Sequence, residues 1–372
     1  HRMHSPYRAI VCSNFFHSPR SRKEKNPSSG SLRLPMKRLT TTLLALVLLL
    51  GYSQAQTVEP KKVPVAPKLK SATKPKAPAK PVLPAIKPTL ANVPYGRDPS
   101  QVVDFYKSSS DKPAPLMLFI HGGGWNGGSK DRVSGLKECL DAGLAVVSVE
   151  YRFVPKAHAA GIKPPVKWPL EDAAHALQFV RSKAAEWNID PTRIGASGGS
   201  AGACSSLWLA FHDDMADPNS VDAIARQSTR LTCAAVIGAQ TTLDPQQMKE
   251  WTPNSRYGGH AFGLVRDPKN PKALDVSFEA FLARRDEFMP WIKQYSPYHL
   301  VSADDPPIYM TYTVAPGLGK DQKDPTHTSN FGVKLEEHCK ANSVPCDLWY
   351  PGSTGTKVAT AHDYLIATLK AH

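Results

Sequence analysis

Cysteine is scarce in the 372-residue chain: six residues, none at metal-ligand spacing, so neither a disulfide-stapled scaffold nor a thiolate metal centre is expected. Apolar runs are short as well. The longest, Leu43 to Leu50, falls far below the roughly twenty residues that span a bilayer. Acidic residues are nearly missing from the first quarter, where residues 1–92 hold 17 Lys and Arg against 2 Asp and Glu. Residues 93–372 hold 29 against 30, so the net charge of +14 belongs to the tail. Nucleic-acid binding finds no support elsewhere in the chain. Loose contact of the tail with cell wall or an anionic membrane remains open beside a plain solvated spacer.

From Met36 the composition changes. Lys37 and Arg38, the apolar run and Ser53-Gln-Ala55 have the layout of a signal peptide, residues 36–55, hence a secreted or periplasmic protein. Residues 1–35 are set aside as an N-terminal extension whose translation is in question. Residues 56–92, rich in Pro, Lys and Ala, read as an extended linker. About 280 residues remain, 93–372, enough for one α/β domain. Within it Cys339 and Cys346 flank a helix-to-strand turn and could pair in an oxidising compartment.

The domain is organised around Thr192 to Ala210. There a short apolar strand, a glycine-flanked serine and a small-residue helix follow one another. Gly198-Gly199-Ser200-Ala201-Gly202 is a G-x-S-x-G sequence in the strand–turn–helix context that exposes a serine oxygen above a sheet. A second register centred on Ser197 is rejected, because that serine would lie before the turn. Upstream, the buried-strand pattern Leu116 to Ile120 runs into His121-Gly-Gly-Gly-Trp125, whose glycines let backbone N–H groups approach a ligand. Strands alternate with helices, so the sheet should be largely parallel. Residues 250–296 break this rhythm with aromatics and turns, as a lid or acyl-pocket insertion or as extra packing.

HGGGW (121–125), VSVEYR (147–152), PLEDA (169–173), IDPTRI (189–194) and GGSAG (198–202) together resemble the α/β-hydrolase superfamily. The order and spacing are similar to hormone-sensitive-lipase-like and feruloyl-esterase-like bacterial esterases over residues 93–370. The resemblance implies an α/β-hydrolase fold, a mostly parallel sheet flanked by helices with a small lid or cap. It implies serine ester hydrolysis without metal or organic cofactor, with Ser200 as nucleophile and the N–H groups of Gly123, Gly124 and Ala201 as the oxyanion hole. His121 is expected to fix its loop by hydrogen bonding.

The resemblance places the triad acid after strand 306–312, as Asp324 of Asp-Pro, with Asp321 in reserve. It places the base after the last strand, 346–350, where Gly-x-His is usual. No histidine occurs from Ser353 to Ala361, so His362 is the expected base. His372 is terminal, and His327 precedes the last strand. Short acyl esters, or acetyl and feruloyl groups on polysaccharide, are the expected substrates, with lipase or polyester hydrolase activity as an alternative. The missing Gly-x-His keeps open a binding protein without catalysis, tethered by its tail.

Overall fold

A computed structural model describes residues 86–372 apart from 266–268, 270–272 and 357, with backbone alone for 273–276. The expected signal peptide and the N-terminal extension lie outside the described residues, as does nearly all of the expected linker.

Two short strands, β1 (Leu90–Pro94) and β2 (Val102–Tyr106), precede β3 (Ala114–Ile120), every residue of which is buried. Helix α1 (Leu136–Asp141) leads to β4 (Ala145–Val149), also buried throughout. Such continuous apolar runs are what a strand covered on both faces requires. Helices α2 (Val154–Ala159), α3 (Lys167–Ser182) and α4 (Ala184–Trp187) then reach β5 (Ile189–Gly199). Beyond it come α5 (Ala201–Phe211) and β6 (Cys233–Ile237).

The insertion follows β6: α6 (Pro245–Trp251), a 3₁₀ turn (Gly259–Phe262), α7 (Ala273–Ala283), α8 (Arg285–Tyr295) and α9 (Pro297–Leu300). The chain closes with β7 (Ile308–Thr311), α10 (Asn330–Ala341), β8 (Cys346–Trp349) and α11 (Ala361–Ala371).

The strands form one sheet ordered β1-β2-β4-β3-β5-β6-β7-β8. Pairs β1–β2 and β2–β4 are antiparallel and the other five are parallel. This is the α/β-hydrolase arrangement. One boundary moves: β1 begins at Leu90, inside the stretch read as linker, with Leu90 opposite Phe105.

Helix α5 is buried on every side, from Ala201 to Phe211, which explains its small and apolar composition. Its Ser205 and Ser206 hydroxyls donate to the Ala201 and Gly202 carbonyls, both at 2.9 Å, so no hydroxyl is left unpaired. On the other face, α11 comes down onto β5 at Gly195. A Cβ there would lie 3.3 Å from both Leu365 and Leu369. Those leucines are fully buried, each contributing about 1.5–3 kcal/mol.

Different residues of the insertion pack internally and line a cavity. Phe262, Phe281, Phe288 and Trp291 pack on one another, with Phe262 5.3–6.4 Å from the other three. Tyr257, Gly259, His260 and Leu264 instead wall a cavity. Cys339 and Cys346 are free thiols.

Candidate active site

Ser200 sits between β5 and α5 with φ 54° and ψ −123°, a strained backbone of the order of 1–3 kcal/mol. The turn is tight because of its flanking glycines. A Cβ on Gly198 or Gly202 would collide with the Ile120 carbonyl at the end of β3. The Ser200 N–H donates to Ile237 O at 3.0 Å, tying the elbow to β6. Ser197, the rejected alternative, is buried and donates to Ala235 O.

The loop after β3 passes close above this elbow. A Cβ on Gly122 would lie 2.6 Å from Gly199 O, so only glycine allows the approach. Gly123 and Gly124 have φ +112° and +62°. Among the described residues, no backbone carbonyl outside the regular elements accepts from the N–H of Gly123, Gly124 or Ala201. These N–H groups, the last at the positive end of α5, remain available to an oxyanion.

The motifs prove to be each other's contacts. His121 Nε2 lies 2.9 Å from Glu150 Oε1, and Nδ1 lies 2.8 Å from the Gly122 carbonyl. The Tyr151 ring stacks on His121 at 4.3 Å while its hydroxyl donates to His121 O. Arg152 pairs with buried Asp172 at 2.6 Å and lies over Trp168. Fully buried Trp125 donates to Ser205 Oγ at 3.0 Å. His121 is thus held by its own loop and by Glu150 and Tyr151.

The base is where the structure departs from expectation. His362 lies on the first turn of α11, its ring packed where a Cβ on Gly135 would have to go. Burial there lowers its pKa, opposed by Glu138 and Asp363, and its Nε2 has no partner among the described residues. His327 stands at Ser200 instead. Its Nε2 accepts from Ser200 Oγ at 2.9 Å, and its Nδ1 donates to Asp324 Oδ2 at 2.8 Å.

Asp324 therefore keeps its expected place. Its Oδ1 accepts from the N–H groups of Thr326 (3.1 Å) and His327 (3.2 Å), so Asp324 and His327 share one turn. Partial burial pushes the Asp324 carboxyl up. The bonds and charge from His327 with the two N–H groups outweigh this and hold it below the usual range. Asp321 is exposed, and its carbonyl accepts from Gln322. His327 packs over Gly238 at the end of β6, where a Cβ would lie 3.5 Å from its own. Asp-x-x-His on a loop that follows a strand was the overlooked signal.

A cavity of about 620 Å³ opens beside the oxyanion loop, lined by Gly124, Asn126, Val154, Tyr257, His260 and Leu264 among others. His260 Nε2 lies 2.9 Å from the Gly124 carbonyl, so the insertion touches the oxyanion loop directly. Among the described residues no group of three or more His, Cys, Asp or Glu could hold a metal ion.

A model of the BD-FAE family matches residues 103–316, more than half of the chain. The match takes in the oxyanion loop and Ser200 and stops before Asp324 and His327. Carboxylesterase NlhH of Mycobacterium tuberculosis (strain ATCC 25618 / H37Rv) is 36% identical over 99 residues, 26% of this chain and 28% of that protein. An acetyl esterase of Salmonella schwarzengrund is 22% identical over 64% of each chain. The chain thus spans less than a third of the first relative's length and less than two thirds of the second's.

Among solved structures, an acetyl ester-xyloside bifunctional hydrolase from Caldicellulosiruptor lactoaceticus superposes with TM-score 0.50 at 21% identity. It covers 71% of this chain and 86% of its own. A truncated carbohydrate esterase from gut microbiota gives 0.54 at 20%, covering 76% and 96%. Both likenesses are of fold.

Proposed function

We propose that this chain, which belongs to the BD-FAE family of α/β-hydrolase esterases, hydrolyses carboxylic esters through Ser200, His327 and Asp324. The observation that carries the reading is the hydrogen-bonded row Ser200–His327–Asp324, at 2.9 and 2.8 Å. A serine hydroxyl is a poor nucleophile until an imidazole takes its proton. The Nδ1–H bond to Asp324 leaves His327 Nε2 with its lone pair towards Ser200 Oγ, the tautomer that a general base needs.

Ser200 Oγ attacks the ester carbonyl carbon as its proton passes to His327. The carbonyl oxygen takes the negative charge and meets the N–H groups of Gly123, Gly124 and Ala201. Collapse expels the alcohol, which takes the proton from His327 and leaves an acyl-serine. Water, deprotonated by the same imidazole, then releases the acid. A preorganised oxyanion donor of this kind contributes about 10²–10³ in rate.

Acetyl or feruloyl groups on polysaccharide are the substrates we favour. The cavity beside Gly124, about 620 Å³, falls within the range of roughly 300–1,000 Å³ that holds drug-sized ligands and leaves room for more than an acetyl group. We further propose export through the signal peptide at 36–55, supported by its basic, apolar and small-residue order. N-terminal sequencing of the exported protein would show a start near Gln56, and a start at or before Met36 would refute export by cleavage.

The test of function is hydrolysis of p-nitrophenyl acetate and octanoate by the full chain beside Ser200→Ala. Turnover that disappears with Ser200 is expected. Equal background rates in both proteins would overturn the reading in favour of the tethered binding protein.

A further inference from the structure

We propose that Asn254, in the insertion, is a positioning residue for the acid–base pair; the inference rests on the reading of Ser200, His327 and Asp324 as the triad. Asp324 and His327 are joined within one turn, so their mutual bond is local and survives a movement of their loop. The bond that depends on tertiary placement is the 2.9 Å contact between His327 and Ser200, which belong to different elements. Whatever fixes the loop 313–329 on the body of the domain therefore sets proton transfer.

Asn254 does this two residues before the acid. Its Nδ2 donates to Gln322 O at 2.8 Å, and its Oδ1 accepts from Gln322 N at 3.0 Å. A primary amide carries a donor and an acceptor side by side, so Asn254 engages both backbone groups of Gln322 as a neighbouring strand would. Gln322 passes the restraint on, because its Nε2 donates to Gly317 O at 3.1 Å and its Oε1 accepts from Thr328 at 3.4 Å. Other parts of the loop have ties of their own. Buried Asn330 donates to Trp251 O at 2.7 Å and accepts from Gly317 N, and Gln240 donates to Thr326 O at 2.6 Å. Asn254 thus ties the insertion to the middle of the loop beside the bond from Gly319 N to Trp251 O at 3.0 Å, is the tie nearest to the acid, and touches neither Ser200 nor His327 among its hydrogen bonds.

The test compares the full chain with Asn254→Ala and Asn254→Asp. The aspartate keeps the acceptor and turns a second oxygen on the Gln322 carbonyl. A misplacement of about 1 Å costs up to roughly 10²-fold in rate. Both variants should lose about ten- to a hundredfold in kcat with KM within about twofold, the pattern of a lost transition-state arrangement. Hydrogen exchange in peptides covering 313–329 should quicken in both variants. A lower thermal midpoint with kcat per folded molecule unchanged would make Asn254 merely structural and overturn the proposal. Exchange at the wild-type rate would overturn it too, even in a wild type without esterase activity. That absence of activity would itself refute the functional reading.

Discussion

At the scale of single residues, the sharpest consequence concerns two histidines. His327 bonds Ser200 and Asp324, whereas His362 packs on Gly135 with its Nε2 unpartnered among the described residues. General-base catalysis contributes about 10²–10⁴ in rate, so His327→Ala should lower kcat by at least that order. His362→Ala should leave kcat within a few-fold of wild type, and steady-state assays of the two variants compare them directly. The reverse ranking would return the base to α11. The proposed nucleophile and oxyanion loop were legible because their requirements are local: Gly122, Gly198 and Gly202 stand where a Cβ would strike backbone. The histidine beside Ser200 was not, because such a partner is chosen by proximity in space. Order along the chain pointed past the last strand, while the turn of Asp324 brings His327 to Ser200 from before it.

At the scale of elements, α8 is held within the insertion by charge as well as by aromatic packing. Asp244, fully buried, caps α6 through Gln246 N and receives Arg285 of α8 at 2.8 and 2.6 Å. Removal of one partner from a buried pair costs about 3–5 kcal/mol, at the low end here because Arg285 is partly exposed and Asp244 keeps its N–H donor. Arg285→Ala should therefore lower the thermal midpoint by several degrees, read by calorimetry, with Arg285→Lys between. An unchanged midpoint would mean that the aromatic cluster alone secures α8. Buried strands were readable as uninterrupted apolar runs, such as Leu116 to Ile120. Strand β1 was not, because Leu-Ala-Asn-Val-Pro is almost wholly exposed and is defined only by its partner β2.

At the scale of the whole molecule, three of the described histidines contribute to how stability responds to acid. Burial lowers the pKa of His299, His338 and His362, so the folded chain resists protonating them. The unfolded chain protonates each near the ordinary value of about 6.5. With more protons bound when unfolded, stability rises with pH. It is fully present above about 6.5 and is lost as pH falls through the lowered values. Asp324, held low by His327, acts in the same direction at more acidic pH. The thermal midpoint should fall between pH 7 and pH 5. His362→Asn, which cannot take the proton, should flatten part of that slope, and an identical slope would remove His362 as a contributor.

The turn that carries both Asp324 and His327 has one more consequence. On the proposed reading, acid and base arrive together ahead of α10, and the segment between β8 and α11 supplies no catalytic group. Residues 351–356 and 358–359, all exposed or half-buried, are on that reading open to replacement. A foreign module spliced in there should leave ester turnover close to that of the unmodified chain.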